Sequence, residues 1–227
     1  MTYLTAMPDL STSLHLDMLN EFRKRRALPV RLVRAIKNEL VSRNVYGMSW
    51  GDPETVQPLR FVRDRFVLPF VRADLTALEI GPGGGRWTRY LLGFDKLYVV
   101  DYYAELLAEF RKHFRQPNII AVQNNGTDFP GIEAESIDYV FSFGTFVHLD
   151  VELIEAYLRN LRPIIRPGAD VVIQYSDKTK TMAQLNPGFA ETTPDLMRQM
   201  ITDAGYRILD EDLTTLWHSS VVRFTKP

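Results

Sequence analysis

The densest set of residues with chemical potential lies in the stretch TALEIGPGGGRWTRYLL, residues 76–92. Four glycines and one proline occupy residues 81–85, between an apolar run and a segment with the pattern of a helix. Glycines let a backbone turn sharply and approach a ligand without an intervening Cβ atom, and a helix N-terminus adds free N–H donors. This strand, glycine-rich turn and helix together predict a cofactor site.

The spacing of the glycines restricts the class of cofactor. A dinucleotide fingerprint requires Gly-x-Gly-x-x-Gly. Counting from Gly81 puts the third glycine at Arg86, and counting from Gly83 puts it at Thr88. A P-loop ends in Gly-Lys-Ser/Thr, which this segment lacks. The pattern therefore argues against a nicotinamide dinucleotide and against a phosphate cradle.

A glutamate precedes the turn, so that Glu79 to Gly85 reads Glu-x-Gly-x-Gly-x-Gly at the end of a strand. This segment resembles motif I of the class I S-adenosylmethionine-dependent methyltransferases, and the resemblance extends over about residues 70–227. A second strand ends in Asp101, at the position of that family's ribose-binding acid. The run RPIIRPGADVVI is similar to the family's Leu-(Lys/Arg)-Pro-Gly-Gly segment, with Ala169 in place of the second glycine. The nearest subgroup is that of the small-molecule methyltransferases, of the type 11 kind.

The resemblance implies S-adenosylmethionine as cofactor and S-adenosylhomocysteine as product. It implies that Glu79 faces the ammonium group and that Asp101 accepts both ribose hydroxyls, since a carboxylate accepts two hydrogen bonds. An N-cap for the following helix is the alternative role of Asp101, and both roles can coexist. Tyr102 is expected against the adenine. Backbone groups of the turn are expected to bind the carboxylate end of the cofactor: Gly81, Pro82, Gly83 and Gly85.

The loop NNGTDFPG, residues 124–131, corresponds to the segment in which this family reads the adenine. The usual Gly-Asp-Ala pattern is missing here. Asn125 and Asp128 are candidates to bind the exocyclic amine, and capping of the loop is the alternative for both. The residues nearest to the family's slot complete the predicted adenine set: Asn125, Gly126, Thr127 and Asp128.

Methyl transfer from a sulfonium is an in-line displacement, so the protein must align the acceptor and take a proton from a hydroxyl. Ligands in open α/β sheets bind beyond the carboxyl ends of the strands. The fourth predicted strand therefore places Phe143 and Gly144 beside the methyl donor, with His148 just beyond them at the start of the next helix. A histidine there can act as a general base near neutral pH. A structural or capping histidine is the alternative.

Other candidates for catalysis follow the fifth strand and the final hairpin. Tyr175 and Asp177 end the fifth strand, and Asp177 has a turn cap as its alternative. His218 lies in the turn of the hairpin, where it either faces the pocket or only occupies the turn. No histidine pair has a short metal-ligand spacing, so no metal is predicted. The predicted substrate contacts are two aromatic residues of the N-terminal loop, with packing as their alternative role, and two residues already named: Tyr46, Trp50, His148 and Tyr175.

Strand and helix patterns alternate from about residue 75 onwards, which is typical of a parallel sheet covered on both faces. The last two strand-like runs are joined by a tight connection, which requires an antiparallel pair. The sequence thus predicts an α/β fold with a Rossmann-like, doubly wound, seven-stranded sheet, mostly parallel, with a C-terminal antiparallel hairpin. Predicted strands cover 75–81, 96–101, 118–124, 137–144, 169–176, 206–217 and 219–226, and predicted helices 86–94, 104–114, 150–165 and 193–205.

Two apolar helical patterns precede the core, within residues 13–28 and 29–44. They predict an N-terminal helical extension over residues 1–58 that acts as a lid, as in related methyltransferases, and a cofactor-binding core over residues 59–227. Closing such a lid expels water from a site.

Bulk composition excludes several classes of function. The formal net charge is −1 over 227 residues, which indicates no basic surface for nucleic acid or an anionic membrane. The chain has no cysteine, which excludes disulfides, thiolate metal sites and a cysteine nucleophile. With no basic leader or long apolar run, a cytoplasmic monomer or homodimer acting on a small-molecule acceptor is expected. The alternatives are a non-catalytic S-adenosylmethionine-binding module, a methyltransferase of macromolecules and an NAD-dependent oxidoreductase.

Overall fold

The sheet has the order β3-β2-β1-β4-β5-β7-β6 in the computed structural model, which describes Gly47 and residues 50–227. β7 runs antiparallel to both of its neighbours, and the other six strands are parallel to one another. The predicted doubly wound sheet with its C-terminal antiparallel hairpin is confirmed, while most of the predicted lid lies outside the described residues. The strands are β1 (Thr76–Ile80), β2 (Lys96–Asp101), β3 (Ile119–Gln123), β4 (Ile137–Ser142), β5 (Ile165–Ser176), β6 (Arg207–Asp212) and β7 (Ser219–Thr225).

Helices of the described residues flank this sheet. The first helix begins near Pro58, and proline is favoured in the first turn of a helix. This helix buries Leu59, Val62 and Phe66, which are spaced along one helical face. The last begins after Thr193, whose side chain accepts a hydrogen bond from the N–H of Leu196. The helices are α1 (Gln57–Phe66), α2 (Ala104–His113), α3 (Val151–Leu161), α4 (Thr181–Gln184) and α5 (Pro194–Asp203).

The predicted helix over residues 86–94 is wrong. Only a single 3-10 turn, Thr88–Tyr90, forms there. The segment has i→i+3 hydrogen bonds, and it buries Trp87, Leu91 and Phe94 against the sheet. Packing of these three apolar side chains therefore overrides the helical propensity of the segment.

Both faces of the sheet are covered by apolar side chains. On one face, Leu78 and Ile80 of β1 belong to a cluster with residues of α3 and α5. On the other face, Ala77 of β1 belongs to a cluster with residues of α1 and α2. This alternation along one strand is expected of a parallel sheet between two helical layers, and it leaves the carboxyl ends of the strands as the open edge.

Candidate functional site

Three strand ends are hydrogen-bonded together at this edge. The N–H of Gly81, just after β1, donates to the carbonyl of Val100 in β2 at 2.8 Å. The hydroxyl of Ser142, at the end of β4, donates to the carbonyl of Ile80 at 2.8 Å. The glycine turn, Asp101 and the segment after β4 therefore lie around one point at the carboxyl edge of the sheet.

Backbone conformation and close packing both require glycine in the glycine turn. Gly81, Gly83 and Gly85 have φ angles of +72°, +54° and +90°, a region that favours glycine. A Cβ atom at Gly81 would lie 1.9 Å from the Thr145 hydroxyl oxygen, and one at Gly85 would lie 1.9 Å from the Phe114 ring. These two glycines are therefore required by close packing within the protein itself.

Hydrogen bonds inside the turn reduce the number of backbone N–H groups that can bind the cofactor. The N–H of Gly81 is bonded to Val100, and that of Gly85 donates to the carbonyl of Pro82 at 2.9 Å. Within Gly47 and residues 50–227, the N–H groups of Gly83 and Gly84 make no hydrogen bond. The N–H groups of Gly83 and Gly84, and not those of Gly81 and Gly85, are thus available to donate hydrogen bonds to a carboxylate.

Glu79 is buried at the end of β1. Its Oε2 accepts a hydrogen bond from the Thr88 hydroxyl at 2.5 Å. Burial raises the pKa of Glu79 to about 8, although the Thr88 hydrogen bond and the positive charge of Arg86 act to lower it. A nearby cation, such as the ammonium group of an amino acid, would stabilise the ionised form of this buried carboxyl.

Asp101 occupies the equivalent place at the end of β2. Burial raises the pKa of Asp101 to about 7, although N–H groups of Tyr103 and Tyr102 act to lower it. Its Oδ1 accepts from the N–H of Tyr103 at 2.9 Å, and Tyr103 is the N-cap residue of α2. Asp101 thus closes a turn ahead of the helix and is not its N-cap.

Tyr102 lies beside the 124–128 loop. Its ring is half exposed, and a Cβ atom added at Gly126 would lie 3.5 Å from it.

The side chains of the 124–128 loop are engaged with the loop itself. Oδ1 of Asn125 accepts from the N–H groups of Thr127 and Asp128, at 3.0 and 3.1 Å. Oδ1 of Asp128 accepts from the N–H of Asn125 at 2.8 Å. Both side chains therefore cap the loop, which was the alternative considered for them, and their contact with adenine stays a prediction.

Sequence reasoning missed two buried amides near these loops. Asn124 donates to the Tyr157 hydroxyl at 2.9 Å and accepts from the N–H of Gly126 at 3.1 Å. Gln174 in β5 accepts from the N–H of Gly144 at 2.7 Å and so holds the segment after β4. Only the pairing of distant strands reveals these contacts, so no local sequence signal identifies them.

The segment after β4 carries Phe143, Gly144 and His148, as expected. The ring of Phe143 packs 4.6 Å from that of Trp87. His148 lies in a 3-10 turn, Phe146–His148, that precedes α3, and its Nδ1 is 3.3 Å from the carbonyl oxygen of Gly188. The sequence had placed His148 at the start of the next helix, which begins only at Val151.

Phe189 links the two predicted catalytic histidines. Its ring lies 5.3 Å from the His148 ring and 5.0 Å from the His218 ring. The structure therefore brings His148, from β4, and His218, from the final hairpin, to the same segment although they are far apart in sequence.

Asp177 and Tyr175 lie deeper than expected. Oδ1 of Asp177 accepts from the hydroxyl and N–H of Thr179, and Oδ2 accepts from the Ser220 hydroxyl at 2.7 Å. Burial acts to raise the pKa of Asp177, but these hydrogen bonds and the charge of Lys180 outweigh it and lower the pKa. Tyr175 is fully buried, and burial raises the pKa of its hydroxyl. This geometry favours the turn cap for Asp177 and packing for Tyr175; their catalytic roles stay predictions.

Of the two aromatic residues of the N-terminal loop that were expected to contact substrate, the structure describes one. Trp50 lies beside Arg86, whose guanidinium donates to the Trp50 carbonyl at 3.2 Å. Tyr46 lies outside the described residues.

Two kinds of feature are absent from the part of the chain that the structure describes. In Gly47 and residues 50–227, no helix has the length and apolar character needed to cross a membrane. The same part of the chain contains no group of three or more histidine, aspartate or glutamate side chains placed to hold a metal ion.

Comparison with protein families decides the class of the domain. Residues 77–168, from β1 to the start of β5, match the family model described as a methyltransferase domain. This part of the chain is similar to a class I methyltransferase domain. The match covers the glycine turn, Asp101, the 124–128 loop and the segment after β4. No curated protein matches the sequence.

Solved structures similar to this methyltransferase domain share its fold at low identity. An S-adenosylmethionine-dependent methyltransferase from Aquifex aeolicus has 17% identity and a TM-score of 0.57, covering 77% of this chain and 92% of that one. The glycopeptide N-methyltransferase MtfA, complexed with S-adenosylmethionine, has 15% identity and a TM-score of 0.57, covering 74% and 85%. The complex between the Haloferax volcanii Trm112 methyltransferase activator and a methyltransferase gives 15% identity and a TM-score of 0.62, covering 74% and 87%.

These findings confirm the predicted resemblance to class I S-adenosylmethionine-dependent methyltransferases, and two of the similar structures are named with S-adenosylmethionine.

Proposed function

We propose that this chain transfers the methyl group of S-adenosylmethionine to a hydroxyl or amine of a small molecule. The observation that carries the proposal is the pairing of two buried carboxyls, Glu79 and Asp101, with the unused N–H groups of Gly83 and Gly84 at one sheet edge. An amino acid joined to a ribose needs an acceptor for its ammonium group, donors for its carboxylate and an acceptor for its diol. The three parts of the site fit these needs.

In this proposal Glu79 receives the ammonium group, Gly83 and Gly84 the carboxylate, and Asp101 the ribose diol. Tyr102 and the 124–128 loop receive the adenine. The cofactor, when bound, supplies an electrophilic methyl group. The protein's own task is then to hold the acceptor in line and to take its proton.

His148 is the base that the geometry favours. Because a carbonyl only accepts, the contact of Nδ1 with the Gly188 carbonyl at 3.3 Å selects the tautomer with the proton on Nδ1. Nε2 then carries the lone pair that receives the proton of an acceptor hydroxyl. An amine acceptor would lose its proton to the same atom or to solvent after transfer.

The proposed acceptor class is supported by the side chains expected around the acceptor. Aromatic and imidazole rings, from Trp50, Phe189, His148 and His218, suit a small organic molecule with polar groups, and we favour a sugar or natural-product hydroxyl. The net charge of −1 gives no support for nucleic acid. We propose a monomer or homodimer.

Calorimetry with S-adenosylmethionine, S-adenosylhomocysteine and NAD tests the proposal. We expect both sulfur cofactors to bind, and Asp101→Asn to weaken them about 10- to 100-fold, since a hydrogen bond to a charged group contributes about 1.5–3 kcal/mol. Asp74→Asn, a surface residue paired with Arg72, is the matched control and should leave binding unchanged. Binding of NAD alone would overturn the proposal, and unchanged affinity in Asp101→Asn would remove the ribose contact.

The role of His148 is tested by turnover. With an acceptor identified by release of S-adenosylhomocysteine from a panel of small hydroxyl and amine compounds, His148→Gln should lower kcat about 10²- to 10⁴-fold. The rise of rate with pH near neutrality should also disappear. His113→Gln, which changes an exposed histidine at the end of α2, is the control and should leave kcat and the pH–rate profile unchanged. An unaltered pH–rate profile in His148→Gln would exclude it as the base, and cofactor binding without turnover on any acceptor would favour a non-catalytic module.

A further inference from the structure

Arg86 follows the glycine turn directly, and its side chain is almost fully buried, with 7% exposure. Its Nη1 lies 3.2 Å from the carbonyl oxygen of Trp50 and 3.3 Å from that of Gly51. One guanidinium thus holds two successive carbonyl groups of a segment more than 30 residues earlier in the chain. Arginine suits this task because its planar group presents several donors in a fixed geometry.

The same guanidinium lies among aromatic rings that border the site. Its central carbon is 5.9 Å from the ring of Trp50, 5.9 Å from that of Trp87 and 5.5 Å from that of Phe143. Its Nη2 is 4.0 Å from the Cβ position of Gly144. Arg86 therefore connects the 50–52 segment with the end of β4, where the methyl donor is expected.

A second contact ties the same segment to the same region. Asp52 forms an ion pair with Arg89, three residues after Arg86. Asp52 in turn accepts from the N–H groups of Glu54, Thr55 and Val56 through its side chain and carbonyl. Residues 50–56 therefore form a compact turn that is held from one side by two arginines of the segment after the glycine turn.

Arg86 is also coupled to the cofactor side by charge. Its positive charge lowers the pKa of Glu79, the acid assigned here to the ammonium group. A ligand that changes the charge around Glu79 changes the electrostatic energy of Arg86 as well, since the interaction is mutual.

We propose that Arg86 is a positioning residue that couples the cofactor turn to residues 50–56, so that Trp50 is held as a wall of the acceptor site when the cofactor is bound. The proposal rests on the proposed function, because it takes the glycine turn as the donor site. It assigns to Arg86 no contact with the acceptor. Replacement of Arg86 should therefore loosen the 50–56 segment without removing the cofactor site.

Hydrogen exchange of the full chain, followed by mass spectrometry of peptides covering residues 50–56, tests this coupling. In the wild type, S-adenosylmethionine should slow exchange of the amides of Glu54, Thr55 and Val56 by a further tenfold or so. In Arg86→Gln, these amides should exchange about tenfold faster than in the wild type without ligand, and the slowing by S-adenosylmethionine should be lost. Arg86→Lys should restore part of the slowing by S-adenosylmethionine, since lysine keeps the positive charge but lacks the paired donors of arginine.

Two controls keep the outcomes apart. Arg65→Gln breaks a surface ion pair with Asp210 and should leave exchange in residues 50–56 unchanged. Calorimetry on the same samples reports cofactor binding, which should change less than about threefold in Arg86→Gln. If S-adenosylmethionine fails to bind the wild type, the proposed function fails. If it binds, and Arg86→Gln keeps the wild-type exchange and its slowing by ligand, the role of Arg86 is overturned.

Discussion

Glu79 and Asp101 stand at the ends of adjacent strands with their carboxyl groups buried, and burial raises the pKa of each, to about 8 and about 7. Two buried acids at one edge destabilise the free protein when they ionise, because few groups there compensate their charge. Perturbed acids of this kind cluster at functional sites. Their cost to the free protein is the reason to expect that a cationic, hydroxyl-rich ligand belongs between them.

The stability of the free protein should therefore depend on pH through Glu79. Its pKa is raised from 4.5 to about 8, so between these values the folded state holds a proton that the unfolded state has released. Stability falls as pH rises through this window, with a slope of up to about 1.4 kcal/mol per pH unit from this group. Urea unfolding from pH 5 to 8.5 should show this slope in the wild type and a shallower one in Glu79→Gln. Parallel profiles for the two proteins would contradict a raised pKa.

At the scale of elements, the glycine turn is determined by packing as much as by its ligand. Gly81 lies under Thr145 and Gly85 lies against Phe114, while Gly83 and Gly84 keep their N–H groups free of partners in the described part of the chain. The one glycine motif therefore contains residues that shape the turn and residues that present donors. A substitution should affect stability or binding according to which kind it changes.

Gly85→Ala should lower the free energy of unfolding by more than about 2 kcal/mol. Its φ of +90° opposes a side chain, and its Cβ would lie 1.9 Å from the Phe114 ring. Gly168→Ala is a matched control, since Gly168 has a φ of +82° and nothing within 4 Å of its Cβ position. It should show the backbone cost alone, about 1–2 kcal/mol.

A double-mutant cycle in urea unfolding separates the two costs at Gly85. In the background of Phe114→Ala, the same Gly85→Ala change should cost only about as much as Gly168→Ala does. An equal cost of Gly85→Ala with and without the Phe114 ring would show that packing against this ring does not determine the glycine.

For the whole molecule, the described members of both hydrophobic clusters that cover the sheet all follow the predicted boundary at 58. We propose that the core is an independent folding unit. A variant that begins at Trp50 should unfold cooperatively, as judged by circular dichroism on heating, and should lose methyl transfer because the proposed lid is gone. The full chain is the control. A broad, non-cooperative transition would show that the first 49 residues are part of the core.

Some of the site could be predicted from the sequence because its signals are local. The β2 run KLYVVD has the predicted bounds of residues 96–101, and Asp101 ends it as expected. The sequence wrongly predicts a helix over residues 86–94, because the burial of Trp87 against the sheet is a tertiary contact that no local signal shows. The cytoplasmic location and the identity of the acceptor stay predictions.

The sequence by itself determined the order of the strands along the chain and the antiparallel end of the sheet, and its resemblance to a known family implied the class of cofactor. The strand order and the antiparallel end follow from periodicity and from the length of connections, and the resemblance rests on motifs that lie within short stretches of chain. Tertiary structure alone decided which groups remain available to a ligand. The N–H of Gly81 is used by Val100, Asp177 is held by Ser220, and Arg86 reaches back to Trp50. Each of these contacts joins residues far apart in sequence, and only the folded chain brings such partners within hydrogen-bonding distance.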